Sequence, residues 1–137
     1  MKRLFFAYGT LKNGFSQNHL LKDCNFLGVA FTAPQFELYQ VSYFPILAEG
    51  AYSVFGELYE IDESRFNLLD AISLVGGQKF FERKEIELKE INLYRSPLYS
   101  STWQALHKSQ AWSYTSLRSG VGYTSRGDFW SLDFCSG

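Results

Sequence analysis

The residues of this chain that could do chemistry are mostly oxygen-bearing side chains and backbone amides. The 137 residues include only two histidines, His19 and His107, and two cysteines, Cys24 and Cys135. The cysteines stand 111 positions apart, belong to no CxxC pair and have no histidine at metal-ligand spacing. We therefore expect two free thiols, no metal site and no cofactor. Catalysis in this chain must rest on carboxylates, hydroxyls and the backbone.

The stretch FFAYGTLKNG, residues 5–14, places such groups where a strand meets a loop. Residues 4–8 are apolar on both faces, which predicts a central strand or a barrel wall, and Asn13-Gly14 marks a turn. Gly9 would let the backbone approach a ligand closely, and N–H groups of a tight loop can bind an anionic oxygen. Taken alone, such a glycine is more often an ordinary turn residue, so the motif needs context.

Composition and charge exclude several classes of protein. Hydrophobic residues make up 46% of the chain and aromatic residues 18%, which is typical of a folded, β-rich core. The formal net charge is −1, and no run of Lys or Arg forms the basic stripe that a nucleic acid requires. The apolar stretch that follows the first three residues is too short for a signal peptide or a membrane span. We expect one soluble, cytoplasmic domain over residues 1–137 with no nucleic-acid or membrane partner, and the oligomeric state stays open.

Hydrophobic periodicity predicts a chain that is richer in strands than in helices. Pro34 separates two of the strands, and the segment around Pro45 is interpreted as a loop. Residues 92–109 show no period and are interpreted as a long surface loop. The predicted strands cover residues 4–8, 25–33, 35–41, 54–62, 80–91 and 110–116.

Two short helices are also predicted. Ser16 can cap a helix over about residues 17–22. Asp62 can cap a second helix that runs to about Ile72 and buries Phe66, Leu69 and Ile72 on one face.

The long strand over residues 80–91 alternates between apolar and charged positions. Phe80, Ile86 and Leu88 share the apolar face, on which Glu82 and Lys84 also fall. The opposite face, expected to be solvated, carries Arg83, Glu85, Glu87 and Lys89. Short helices and hairpin-length connections predict an α+β fold built on a small, mixed, mainly antiparallel β-barrel with short flanking helices.

A series of motifs resembles the γ-glutamylcyclotransferase (AIG2-like) family, and most of all its bacterial YtfP-like branch. Each motif is weak alone, but their order along nearly the whole chain is specific, with residues 92–109 as an insertion. The matching pieces are Tyr8-Gly9-Thr10-Leu11, Phe44-Pro45, Gly56-Glu57-Leu58-Tyr59, Leu69-Asp70, Phe81-Glu82-Arg83, AWSY at 111–114 and GDFW at 127–130.

The resemblance implies an enzyme that cyclises a γ-glutamyl amide to 5-oxoproline and releases an amine or amino acid. The substrate's own α-amine attacks its γ-carbonyl, so no enzyme nucleophile, metal or redox cofactor is needed. The loop residues Tyr8, Gly9, Thr10 and Leu11 would bind the substrate carboxylate and the developing oxyanion. Tyr114 matches a late family tyrosine that closes the pocket.

The resemblance also implies a glutamate base a few residues after Leu69-Asp70, and here the chain departs from the pattern. Ser73 stands at that position, and a neutral hydroxyl is a far weaker base than a carboxylate. Two carboxylates could replace it. Glu82 falls on the inward face of its strand, where desolvation would raise its pKa, and Glu57 has apolar neighbours on both sides. Either could instead be structural: Glu82 could pair with Lys84 or point outward at a sheet edge, and Glu57 could pair with Arg83.

Three functions therefore stay open at this stage. The first is a cyclotransferase that uses a displaced carboxylate on a small-molecule γ-glutamyl substrate. The second is a catalytically inactive module that binds a small carboxylate such as 5-oxoproline. The third is an interaction protein that uses the loop predicted over residues 92–109.

Overall fold

The computed structural model describes residues 2–9, 11–14, 17–41, 44–72, 74–75, 78–79, 81–117 and 124–127. The predictions made for Thr10, Ser16, Ser73, Phe80 and Cys135 lie outside these residues, as does most of the GDFW motif.

Ten strands, two α-helices and a 3-10 helix are present in the described residues. The helices are α1 (Glu63–Ile72), α2 (Ser100–His107) and the 3-10 helix Asn18–Leu21, which lies within the predicted 17–22 segment. The strands are β1 (Lys2–Ala7), β2 (Asn25–Thr32), β3 (Phe36–Val41), β4 (Phe44–Glu49), β5 (Phe55–Asp62), β6 (Leu74–Val75), β7 (Gln78–Lys79), β8 (Phe81–Leu93), β9 (Gln110–Ser116) and β10 (Thr124–Gly127).

Five strands close into a mixed barrel in the order β1-β5-β2-β8-β9, with β9 returning to β1. The closing pair is parallel, with Phe5 opposite Trp112, whereas the other four pairs are antiparallel. Beyond β9 the sheet continues through β4, β3 and β10. The predicted fold class is confirmed.

Two apolar cores lie on opposite sides of the barrel wall. Alternate residues of β1 divide between them, because Leu4 and Phe6 point into the barrel and Phe5 and Ala7 point outward. This arrangement explains why β1 is apolar on both faces. The interior core includes Leu27, Leu58, Ile86 and Leu88, and the outer core includes Leu21, Ile61, Phe66, Leu69 and Tyr114.

Helix α1 covers the outer core as the sequence predicts. The Asp62 carboxylate accepts hydrogen bonds from the Arg65 N–H at 2.9 Å and from the Ser64 hydroxyl at 2.7 Å. These two bonds lower the pKa of Asp62 and satisfy donors at the helix start. Phe66 and Leu69 are buried on the inward face of this helix, and the Phe66 ring meets Phe5 edge-on at 6.0 Å.

The prediction of a surface loop over residues 92–109 is wrong, because this segment contains α2. Ala105 and Leu106 pack against the interior core. Helix α2 lies against β1, and the Ser101 hydroxyl donates a hydrogen bond to the Lys2 carbonyl. This short helix has too few apolar residues to show a helical period in the sequence. Buried polar contacts hold its first turn instead.

The buried carboxylate of Glu60 supplies these polar contacts. Its side chain is 1% exposed, and Oε2 accepts hydrogen bonds from the backbone N–H groups of Leu98 (2.8 Å) and Tyr99 (3.1 Å). The same oxygen accepts a bond from the Thr102 hydroxyl at 2.7 Å. The Asn25 side chain donates to Oε1 at 3.1 Å. Glu60 thus joins β5 to the start of α2.

The loop predicted around Pro45 is also wrong, because Pro45 lies in β4. It stands near the start of the strand, before β4 begins to pair with β9 at Leu47. A missing N–H removes little of the ladder at such a position. The sequence suggested that Pro45 would interrupt a strand, but the proline is accommodated within β4.

The expected solvation of β8 is wrong at two positions. The Arg83 guanidinium lies 4.6 Å from the Phe66 ring centroid and pairs with Glu63 at 2.8 Å and with Asp70 at 3.7 Å. Lys84, expected on the apolar side, is exposed. Helix α1 covers one face of the strand here, so two-fold alternation alone cannot distinguish covered residues from solvated ones.

Replacing Glu60 should destabilise the fold more than replacing an exposed glutamate. In Glu60→Ala, three donors at the start of α2 lose a buried acceptor, which should lower the free energy of unfolding by about 3 kcal/mol. Glu87→Ala, at an exposed position of β8, is the matched control and should change it by less than about 0.5 kcal/mol. Denaturant unfolding of both variants checks this, and equal losses would contradict it.

Candidate functional site

The strand registers bring those predicted site residues that the structure describes to one end of the barrel. Ala7, the last residue of β1, pairs with Glu57 near the start of β5. Glu82, near the start of β8, pairs with Thr115 near the end of β9, which runs parallel to β1. We call this end of the barrel the mouth. Helix α1 also ends there, because Asp70 contacts Tyr114 of β9.

Tyr8 fixes the place where the loop leaves the barrel. Its ring belongs to the interior core, its hydroxyl donates to the Tyr114 carbonyl at 2.7 Å, and the Leu47 N–H donates to the hydroxyl at 3.3 Å. Burial raises the pKa of the hydroxyl, which stays protonated. The structure therefore places the Tyr8 side chain beneath the mouth, as a support for the loop.

Gly9 is packed too tightly to carry a side chain. A Cβ at this position would lie 2.8 Å from Pro45 Cγ, and the Gly9 carbonyl accepts a bond from the Lys12 N–H at 3.0 Å. The residue is thus a turn glycine and also a point of close approach between loop and β4. Thr10, the next residue of the motif, is outside the described part of the chain.

Leu11 and Asn13 are tied to β5 through side chains. The Asn18 amide donates to the Leu11 carbonyl at 2.7 Å and to the Tyr59 hydroxyl at 3.0 Å. Glu57 Oε1 accepts bonds from the Asn13 N–H at 2.7 Å and from the Tyr59 hydroxyl at 3.0 Å. The expected pairing of Glu57 with Arg83 is not observed, since Arg83 pairs with carboxylates of α1.

Lys12 is a site residue that the sequence reasoning missed. Its side chain is only 4% exposed, and its ammonium lies 5.7 Å from the centroid of the Phe55 ring. Lysine is rarely so deeply buried, which distinguishes Lys12 from the exposed lysines of the chain and places its amine in the same loop. Its place directly after Tyr-Gly-Thr-Leu was the available signal.

Tyr114 binds α1 to the barrel wall. Its hydroxyl lies 2.6 Å from Asp70 Oδ1, and burial together with this carboxylate raises the pKa of the hydroxyl. Arg83 bridges Asp70 and Glu63 on the same helix. The Tyr114 side chain therefore fixes the last turn of α1, which immediately precedes Ser73.

Glu82 has a different environment from Glu57. It is half-buried, and its carboxylate makes no hydrogen bond or ion pair with any residue that the structure describes. By alternation with the buried Ile86 and Leu88 it lies on the interior side of β8, whereas Glu57 lies on the outer side with Ala7. The expected pairing with Lys84 is absent among the described contacts.

A cleft of about 270 Å³ opens on the outer side of the loop, lined by residues that include Asn13, Asn18, Lys22, Phe26 and Tyr59. Cys24 also borders it, and burial raises the pKa of its thiol, which does not favour a reactive thiolate.

The described ranges contain neither a cluster of metal ligands nor a helix suited to a membrane. No three His, Cys, Asp or Glu side chains come together there as a metal site would require. No helix among those residues combines the length and apolar character needed to cross a bilayer.

Comparison with known proteins identifies the family. The family model "Gamma-glutamyl cyclotransferase, AIG2-like" matches residues 5–128. A Vibrio cholerae protein, provisionally named a gamma-glutamylcyclotransferase, is 40% identical over 72 residues, which are 53% of this chain and 63% of that protein. The Escherichia coli family protein YtfP is 32% identical over 73 residues, 53% of this chain and 64% of YtfP. The chain thus spans less than two thirds of the length of these curated relatives.

A solved structure shows the same fold. The AIG2-like protein of Mus musculus superposes with a TM-score of 0.61 at 23% identity, covering 85% of this chain and 78% of the mouse protein. The family match over residues 5–128 shows that the chain belongs to the gamma-glutamyl cyclotransferase, AIG2-like family.

Proposed function

We propose that this protein cyclises a γ-glutamyl amide to 5-oxoproline and releases an amine or amino acid. Family membership supports the reaction class. The observation that carries the proposal for this chain is Glu82, a half-buried carboxylate without a partner among the described residues, at the same barrel end as the loop that begins at Gly9. Such a carboxylate is a candidate base at the barrel end that carries the candidate anion site.

The reaction needs one proton acceptor and one oxyanion site. The base removes a proton from the substrate's α-ammonium, and the neutral amine then attacks the γ-carbonyl carbon to form a five-membered ring. In the resulting tetrahedral intermediate the oxygen carries a negative charge, which backbone N–H groups of the loop would stabilise. The C–N bond to the leaving group then breaks as the protonated base gives its proton to the leaving nitrogen, and the ring nitrogen, cationic after the attack, loses its extra proton to the regenerated carboxylate, which leaves the neutral amide N–H of 5-oxoproline.

The loop and Lys12 would hold the substrate for this attack. Loop N–H groups between Gly9 and Leu11 can bind the α-carboxylate, and the buried Lys12 ammonium supports a negative charge nearby. Thr10 would add a hydroxyl donor. Because attacking and attacked groups belong to one molecule, binding in the bent conformation accounts for much of the acceleration.

Glu82 is the better of the two candidate bases. Glu57 Oε1 already accepts two hydrogen bonds, one from the loop and one from Tyr59, whereas no described residue bonds to the Glu82 carboxylate. A carboxylate at the mouth can replace a glutamate at position 73, because the end of α1 and the start of β8 lie at the same barrel end.

Ser73 favours a second candidate function. A serine in place of the family's glutamate would suit a module that binds 5-oxoproline or a similar small carboxylate without turnover. The same loop and the same Lys12 charge would serve that function.

Glu82→Gln should lower the rate of 5-oxoproline formation about 100-fold or more, because the amide cannot accept the α-ammonium proton. Purified protein is incubated with several γ-glutamyl amides, and 5-oxoproline is quantified by mass spectrometry. Glu85→Gln, at an exposed position of the same strand, is the matched control and should keep the wild-type rate. A Glu82→Gln enzyme as fast as this control would exclude Glu82 as the base.

Ser73→Glu separates the two candidate functions. If the native chain is an enzyme, it forms 5-oxoproline without the substitution, and the new glutamate changes an existing rate. If the chain is a binding module, native protein shows no product above background, although 5-oxoproline raises its melting temperature. Ser73→Glu then creates turnover. Absence of turnover in the native chain across all amides would contradict the proposed reaction.

A further inference from the structure

We propose that Glu57 is a positioning residue that holds the substrate loop in its binding conformation through Asn13 and Tyr59. This inference rests on the proposed function, since it assigns the loop to substrate binding. It removes Glu57 from the candidate bases and gives it a different role.

The bonds around Glu57 hold the loop from two sides. Glu57 Oε1 binds the Asn13 N–H at 2.7 Å, and through Tyr59 it is connected to Asn18, which binds the Leu11 carbonyl at 2.7 Å. The two anchored backbone groups, at Leu11 and Asn13, flank the buried Lys12. The turn bond from the Lys12 N–H to the Gly9 carbonyl completes the restraint on this segment.

Both groups that bind Glu57 Oε1 are donors, so what this position requires is an acceptor. The Asn13 backbone N–H can only donate, and the Tyr59 hydroxyl stays protonated because burial and the adjacent Glu57 raise its pKa. If Glu57 took up a substrate proton on this oxygen, the oxygen could no longer accept both hydrogen bonds, and the loop would lose a restraint. An uncharged amide oxygen, in contrast, could accept the same two bonds.

The placement of Glu57 agrees with a supporting role. It lies on the outer side of the barrel wall, opposite Ala7, in the strand ladder that joins β5 to β1. The loop begins directly after β1, so a contact from β5 to Asn13 fixes the loop relative to the strand it leaves. Without it, loop N–H groups would sample more conformations, and preorganised donors stabilise charge far better than mobile ones.

Two substitutions separate positioning from proton transfer. Glu57→Ala removes the acceptor and should lower kcat/KM about tenfold or more, with a rise in KM, because the loop loses its substrate-binding conformation. Glu57→Gln keeps a carbonyl oxygen and should restore most of the lost kcat/KM. If Glu57→Gln is as impaired as Glu57→Ala in kcat, Glu57 acts as a base and the inference is wrong. Glu85→Ala is the exposed control.

Amide hydrogen exchange gives a readout that does not depend on turnover. The Asn13 N–H should exchange about tenfold faster or more in Glu57→Ala than in the wild type, and near the wild-type rate in Glu57→Gln, with core amides of β1 unchanged in both. A change that is equally large in the core would indicate a purely structural role and overturn the inference. If native protein makes no 5-oxoproline, the proposed reaction is wrong, but this result does not test the role of Glu57. That role is rejected if the Asn13 N–H exchanges at the wild-type rate in Glu57→Ala.

Discussion

The site depends on the closure of the barrel by the parallel pairing of β1 with β9. Closure joins the first strand of the chain to a strand more than 100 residues later, with Phe5 opposite Trp112. The two strands run in the same direction, so the loop that follows β1 leaves beside the end of β9. Because β8 is antiparallel to β9, its first residues lie there too, and Glu82 reaches the end of the barrel where Gly9 begins the loop.

The carboxylates at the two ends of the barrel differ in how many hydrogen bonds they accept. At the end near α2, Glu60 is fully buried and has four hydrogen-bond donors, so its charge is compensated and it serves the fold. At the mouth, Glu82 is half-buried with no described partner. A half-buried carboxylate that accepts no hydrogen bond from the described residues stabilises the fold less than Glu60 does, which is consistent with the role of base proposed for it.

Local signals in the sequence predict the elements that depend on local interactions. The apolar β1 strand and the Asp62 cap of α1 follow from residue type and spacing, and the structure contains both. Helix α2 could not be predicted in this way, because its first turn is held by Glu60, 40 residues earlier than Ser100. The covering of Arg83 by α1 and the burial of Lys12 depend likewise on contacts between distant segments. Motif order, rather than periodicity, predicted the family and the loop.

A serine at position 73, where the family pattern has a glutamate, is compatible with the proposed reaction. In the proposed reaction the ring-closing attack is intramolecular, so the protein would contribute mainly by holding one substrate conformation and by stabilising the oxyanion. Both contributions would come from the loop, which Pro45, Tyr8, Asn18 and Glu57 hold from different sides. Proton transfer makes a weaker demand on geometry, since a base can act from any position within hydrogen-bond reach of the amine or through one water. The proposed mechanism therefore allows the base to lie on β8 instead of at the end of α1, while the loop keeps the same proposed role.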